Sequence, residues 1–276
     1  MDWSATLDAY CERLNPGLWA EPFNALSNLA FWLAAWVVWL AWRQRRAADS
    51  ASGGTPQRDI DALLLMLAAI GAGSLAFHSL ATAWARALDV LFIALYLHFY
   101  LAVYARRALR LRWRWAWIGM PAFTLLSLGL APLWRGLAEL SGVALSGEVL
   151  SGAALQADAD AASRYAAAWT VLLLLLAHSA FRRLPSAKPL AAAAVCFAPS
   201  LVLRQLDLPL CEVWPLGTHF AWHLLNAATL GLTTLAILRL ADSAAGAQEA
   251  AGADGAERAA VVNADSRKTG SSSRSR

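Results

Sequence analysis

Seven apolar stretches, at about 24–42, 61–80, 85–104, 114–134, 164–181, 189–204 and 217–240, set what this chain can become. An α-helix needs roughly 17 to 25 such residues to cross a ~30 Å hydrocarbon layer. The sixth stretch is the weakest, because it is short and holds Pro199. In lipid, each backbone N–H and C=O must find its partner within the protein, so stretches of this kind span as helices. The expected fold is all-α, a seven-transmembrane helix bundle. Composition agrees: of 276 residues, 59% are hydrophobic and 15% charged, with 14 Trp, where a soluble domain is about a quarter charged. Residues 1–22 are polar and acidic (Asp2, Asp8, Glu12, Glu21), unlike the basic-then-apolar start of a signal peptide. The first apolar stretch is therefore expected to remain as a span.

A formal charge of +4 could suggest nucleic acid, but the basic residues fall in alternate loops. They cluster after the first span (Arg43, Arg45, Arg46, Arg58), after the third (Arg106, Arg107, Arg110, Arg112, Arg114) and after the fifth (Arg182, Arg183, Lys188). The other segments are poor in basic residues and rich in acid (Asp8, Glu12, Glu21, Glu139, Glu148, Asp158, Asp160, Asp207, Glu212). The positive-inside rule then places the N-terminus outside and the C-terminus in the cytoplasm. Residues 1–22 form an outer segment with a turn at Asn15-Pro16-Gly17, and 23–241 form the membrane domain. The longest outer connection is expected at about 135–163, with room for a short interfacial helix. From 242 to 276 the chain is Ala, Gly, Ser and charge, which predicts a disordered cytoplasmic tail.

Ionisable groups at membrane depth are costly and mark function or pairing. Ser74 and His78 are four apart, on one face of the second helix near its outer end. Asp89 opens the third helix at that same end, and His219 and His223, again four apart, open the seventh. Three neutral imidazoles can hold Zn²⁺ and leave a fourth position for water, the arrangement of a catalytic site. His98, near mid-span, and His178, at the inner end of the fifth span, read as structural.

These residues carry a resemblance. Gly73-Ser74-Leu75-Ala76-Phe77-His78, Asp89 eleven residues later, and His219-Phe220-Ala221-Trp222-His223 resemble the Ser, Asp and three-His signature of the alkaline ceramidase family. That family belongs to a superfamily of seven-helix membrane hydrolases shared with the adiponectin-type receptors. The runs Asp8-Ala9-Tyr10-Cys11-Glu12-Arg13, Ala20-Glu21-Pro22-Phe23-Asn24 and Ser27-Asn28 narrow the likeness to the ceramidase branch in its bacterial-looking form. The resemblance implies that His78, His219 and His223 bind zinc, that Ser74 and Asp89 assist catalysis, and that the amide of a ceramide-like sphingolipid is hydrolysed to a fatty acid and a sphingoid base. It implies a multi-pass protein of a bacterial inner membrane, with its site near the periplasmic face. The family also binds Ca²⁺ through its N-terminal segment, and here Asp8, Glu12, Asn15, Glu21 and the Tyr10 carbonyl are the oxygens available. The run at 8–12 and its spacing to Glu21 depart from the animal members' pattern, which leaves these acids an alternative role in capping the first helix. Competing readings are a superfamily hydrolase of another lipid amide or ester, and a non-catalytic metal-binding receptor or transporter.

Of three cysteines, Cys196 lies within the sixth span and reads as an inert apolar side chain. Cys11 and Cys211 both fall on the outer side, where an oxidising compartment permits a disulfide. Two unpaired thiols are the alternative.

Overall fold

A computed structural model describes residues 2–51, 57–145 and 152–242. Their regular structure is helical throughout. In chain order it comprises α1 (Pro22–Ser27), α2 (Leu29–Ala51), α3 (Arg58–Leu80), α4 (Ala83–Ala108), α5 (Trp113–Ala116), α6 (Gly119–Leu145), α7 (Gly152–Phe181) and α8 (Ala187–Leu206). A single 3₁₀ turn at Leu208–Leu210 then leads to α9 (His219–Asp242).

Among the described residues, five helical stretches are long and apolar enough to cross a membrane: Pro22–Ala47, which joins α1 to most of α2, and α3, α4, α8 and α9. The stretches expected as the fourth and fifth spans fall in α6 and α7, where a shorter apolar helix runs over Ala167–Phe181. In the long connection expected at 135–163, the described residues 135–145 and 152–163 are instead helix. Ala- and Leu-rich sequence carries α6 on to Leu145 and starts α7 at Gly152. The tail expected to be disordered lies outside the described residues from 243 on.

Large apolar side chains face outward as well as inward, as in a protein solvated by lipid. Leu65 and Val195 are 72% and 74% exposed, while Phe31, Leu63, Leu67, Ile70, Leu190 and Ile237 form the interior. Exposed Trp3, Trp19, Trp84 and Trp214 surround one end of the bundle, and Trp115 and Trp117 lie at the other, as aromatic anchors do at membrane interfaces. Polar groups at depth are bonded across helices. The Tyr96 hydroxyl donates to the Leu230 carbonyl at 2.9 Å and meets Thr233 and Thr234.

The turn between α3 and α4 sets where the outer segment docks. Ala81 adopts the left-handed region (φ 46°) and returns its N–H to the Phe77 carbonyl at 2.7 Å, ending α3. With only Ala81 and Thr82 between them, the two helices run back to back. Gly73 lets them close: a Cβ there would lie 2.8 Å from the Phe92 ring and 3.2 Å from the Leu88 carbonyl. The outer segment pairs with this turn, as Leu7 N–H donates to the Ala81 carbonyl at 2.7 Å and Ala83 N–H to that of Ala5 at 3.1 Å.

Candidate metal centre

The α3–α4 turn brings the last two turns of α3, which hold Ser74 and His78, beside the first turns of α4, which hold Asp89. α9 starts at the same end with His219 and His223. Its start is set by Asp207, an acid counted among those of the outer segments, which is buried. Asp207 Oδ1 accepts the N–H groups of Thr218 at 2.8 Å and His219 at 2.9 Å, and Oδ2 accepts that of Cys11 at 3.2 Å. A carboxylate on the free N–H groups of a helix start also matches the helix dipole. Gly217 precedes this start with φ +67°, and a Cβ there would overlap Asp207 Oδ1 and approach Cys11 Cβ to 2.8 Å. Gly217→Ala is therefore expected to cost about 1–3 kcal/mol, read as a lower melting temperature in detergent.

Cys11 and Cys211 form a disulfide with Cα atoms 5.2 Å apart, tying the outer segment to the loop before α9. The two outer cysteines thus lie at disulfide distance, as the paired reading expects. The bridge holds Tyr10 over the site, its ring stacked on that of His219 with centroids 3.9 Å apart. Trp222 stacks against His219 as well, at 5.1 Å. The Arg204 guanidinium lies 5.0 Å from the Tyr10 ring centre, and burial pushes the Tyr10 phenol above its ordinary range, so it stays neutral.

His78, His219 and His223 are buried, and one ring nitrogen from each lies within 4.8 Å of the others. Among the described residues this is the group of His, Cys, Asp and Glu side chains placed to hold a metal ion. His78 Nε2, His223 Nε2 and His219 Nδ1 are buried without a hydrogen-bond partner. An orphaned buried polar atom is costly, so three together mark a place for a ligand they share. The opposite nitrogens of two rings are held. His78 Nδ1 meets Glu21 Oε2 at 2.5 Å, and His223 Nδ1 meets Ser27 Oγ at 2.7 Å. Ser27 donates its one proton to the Asn24 carbonyl at 2.8 Å, so it accepts from His223, and His223 carries its proton on Nδ1. The Glu21 carboxylate fixes the same tautomer in His78. Both Nε2 lone pairs are left facing the shared space, which is how metal-binding imidazoles are oriented. The donor set thus fits a divalent transition metal.

The outer acids act on this framework. Glu21 accepts from Arg13 Nε at 2.5 Å and Asn24 Nδ2 at 3.2 Å in addition to His78. Burial pushes its carboxyl up, but the hydrogen bonds of His78, Arg13 and Asn24 outweigh that and hold it below its ordinary value. Glu12 accepts the Phe23 and Asn24 N–H groups at 2.6 and 2.8 Å, capping α1. Burial nonetheless leaves the Glu12 carboxyl above its ordinary value. Asn15 Oδ1 accepts from Gly17 N–H at 2.8 Å, the Tyr10 carbonyl from Arg13 N–H at 3.2 Å, and Asp8 is exposed. The oxygens expected to cage calcium are thus mostly engaged by N–H donors, because they orient His78 and cap a helix. Glu21→Gln is expected to weaken binding of a divalent metal roughly 10- to 100-fold, measured by competition with a chromogenic chelator; unchanged affinity would remove Glu21 from this role.

Asp89 and Ser74 stand next to the histidines. The Asp89 carboxylate interacts electrostatically with Ser74 and His78, and Asp89 Oδ1 is buried without a donor. An apolar cavity lies further into the bundle, with Leu97, Tyr100, Leu172, Phe197 and Leu230 on its walls and Asn226, one turn beyond His223, among them. His98 and His178 lie apart from the centre. His98 bonds the Ala94 carbonyl and Thr124, and His178 bonds the Tyr104 hydroxyl.

Sequence reasoning singled out the three histidines, which the structure brings together, and Ser74 and Asp89 at the same end of the bundle. It missed Ser27, the buried role of Asp207 and the ring of Tyr10. A polar face of Asn24, Ser27 and Asn28 at the start of an apolar span was the available signal. No family model matches the chain, and no curated protein or solved structure matches it.

Proposed function

We propose that the chain is a zinc-dependent intramembrane amidase that hydrolyses the N-acyl bond of ceramide-like sphingolipids. One observation supports it above the rest: three unpartnered ring nitrogens share an end of the bundle with an Asp89 carboxylate oxygen that has no donor and feels the charge of His78. A metal site that only held the fold together would have no need of that acid. The substrate class rests on the resemblance to alkaline ceramidases, and the apolar cavity beyond His223 suits an acyl or sphingoid chain arriving from the bilayer.

In this proposal His78, His219 and His223 hold zinc. Zinc in such a site supplies Lewis acidity toward water and the substrate carbonyl. Asp89 takes a proton from the attacking water and passes it to the departing nitrogen as the C–N bond breaks. The Ser74 hydroxyl donates to the substrate oxygen as it gains charge. Glu21 and Ser27 keep the imidazoles in the required tautomer, and the stack of Tyr10 on His219 shields the site from water. The proposed topology has seven crossings, with the N-terminus and the site at the periplasmic face of a bacterial inner membrane and the C-terminus in the cytoplasm. The basic loops support this orientation.

The test is release of fatty acid by the purified protein from an N-acyl sphingosine, an N-acyl ethanolamine and a glycerolipid ester side by side. Preferential cleavage of the N-acyl sphingosine is expected. Cleavage of another lipid alone would reassign the substrate, and cleavage of none by zinc-loaded protein would contradict the enzyme reading.

A further inference from the structure

The end of the bundle opposite the histidines carries cations that the metal centre does not use. Several of them are paired. Arg107 binds Asp59 at 2.8 and 2.7 Å, Asp61 accepts from Trp42 at 2.7 Å and faces Arg46, and Arg45 pairs with Asp242. Arg106 and Arg114 lie over the rings of Trp113 and Trp115. Among the described residues, Arg110 and Arg182 belong to a second set, with Arg58, Arg112, Arg183, Lys188 and Arg239, whose side chains have neither a carboxylate nor a ring.

These two arginines share a pocket. It has a volume of about 560 Å³, lies between the C-terminal ends of α4 and α7, and is lined by Ala108, Leu109, Arg110, His178, Arg182 and Leu184. His178 is fixed on one edge by the Tyr104 hydroxyl at 2.9 Å, which in turn bonds Ser179 at 2.7 Å, itself bonded to Ser186 at 2.9 Å. The chain turns at both helix ends on an arginine in the left-handed region, Arg110 at φ 56° and Arg183 at φ 52°. At α7, Arg183 N–H bonds the Ala180 carbonyl and Leu184 N–H that of Ser179. Glycine is usual at such a position, and strained residues of this kind concentrate at functional sites. The flanks are apolar, with Phe181 86% and Leu109 48% exposed.

We infer that this pocket binds the phosphate of an anionic membrane lipid, with Arg110 and Arg182 as paired guanidinium donors and His178 as a third polar wall. Guanidinium groups match phosphate oxygens in geometry and charge, and basic pockets between transmembrane helices take anionic headgroups. Phe181 and Leu109 offer the surface along which acyl chains would lie, which distinguishes a lipid from a free phosphate ion. The inference is independent of the chemistry at the histidines, which occupy the other end of the bundle.

The test uses the full chain in mixed micelles with phosphatidylglycerol or phosphatidylcholine of matched acyl chains, read by native mass spectrometry. Wild type is expected to retain phosphatidylglycerol about tenfold better than phosphatidylcholine. Arg110→Gln/Arg182→Gln is expected to lose that preference, while Arg43→Gln, at a basic residue elsewhere, keeps it. Thermal melting checks the fold of the double variant, and the two single variants carry the test if it does not fold. Equal retention of both lipids by wild type, or an unchanged preference in the variants, would overturn the inference. Binding of inorganic phosphate by a chain that shows no preference between the lipids would overturn the lipid as ligand.

Discussion

His219→Ala is expected to abolish metal binding and lipid hydrolysis together. His219 supplies one of three buried ring nitrogens that have no other partner, and two imidazoles alone make a poor site for a divalent ion. Lewis-acid catalysis is worth several kcal/mol, and each ~1.4 kcal/mol is tenfold in rate, so activity should fall by about a thousandfold or more. Elemental analysis should show the metal dropping from about one ion per chain to a trace. Alanine also removes a ring stacked between Tyr10 and Trp222, so the variant should melt at a lower temperature. His98→Ala serves as the control. Its ring contacts Thr124 and lies apart from the centre, and both metal and activity should persist.

Asp89→Asn should separate chemistry from binding. Asparagine keeps the shape, but it cannot accept a proton from water at working pH. General acid–base catalysis contributes about 10²- to 10⁴-fold, and kcat should fall by that much while the metal content stays at the wild-type level. Loss of metal in this variant would make Asp89 a ligand. Unchanged kcat would leave the proton transfer to another group.

The parts of this arrangement that the sequence makes legible are those governed by local spacing. Ser74 with His78, and His219 with His223, are one helical turn apart, and the apolar stretches place both pairs at one end of the bundle. What joins them is long-range and leaves no periodic trace. Glu21 meets His78 across 57 residues, and Ser27 meets His223 across 196. A polar residue at the start of a span reads equally well as a cap, an ion ligand or an orienting partner until its neighbour is known. Asp207 illustrates the same limit: its charge counts toward an outer loop, yet its carboxylate is buried against the start of α9 and places His219. The helix ends were also hard to read, since Ala-rich sequence continues α6 and α7 past the apolar core that defines a span.

The central claim is that His78, His219 and His223 hold a catalytic metal, and X-ray absorption at the zinc edge on the purified wild-type protein tests it most directly. The account predicts about one zinc per chain with nitrogen neighbours at roughly 2.0–2.1 Å and the outer-shell pattern of three imidazoles. A protein that binds no metal after zinc loading, or a zinc whose neighbours include no imidazole, would contradict it.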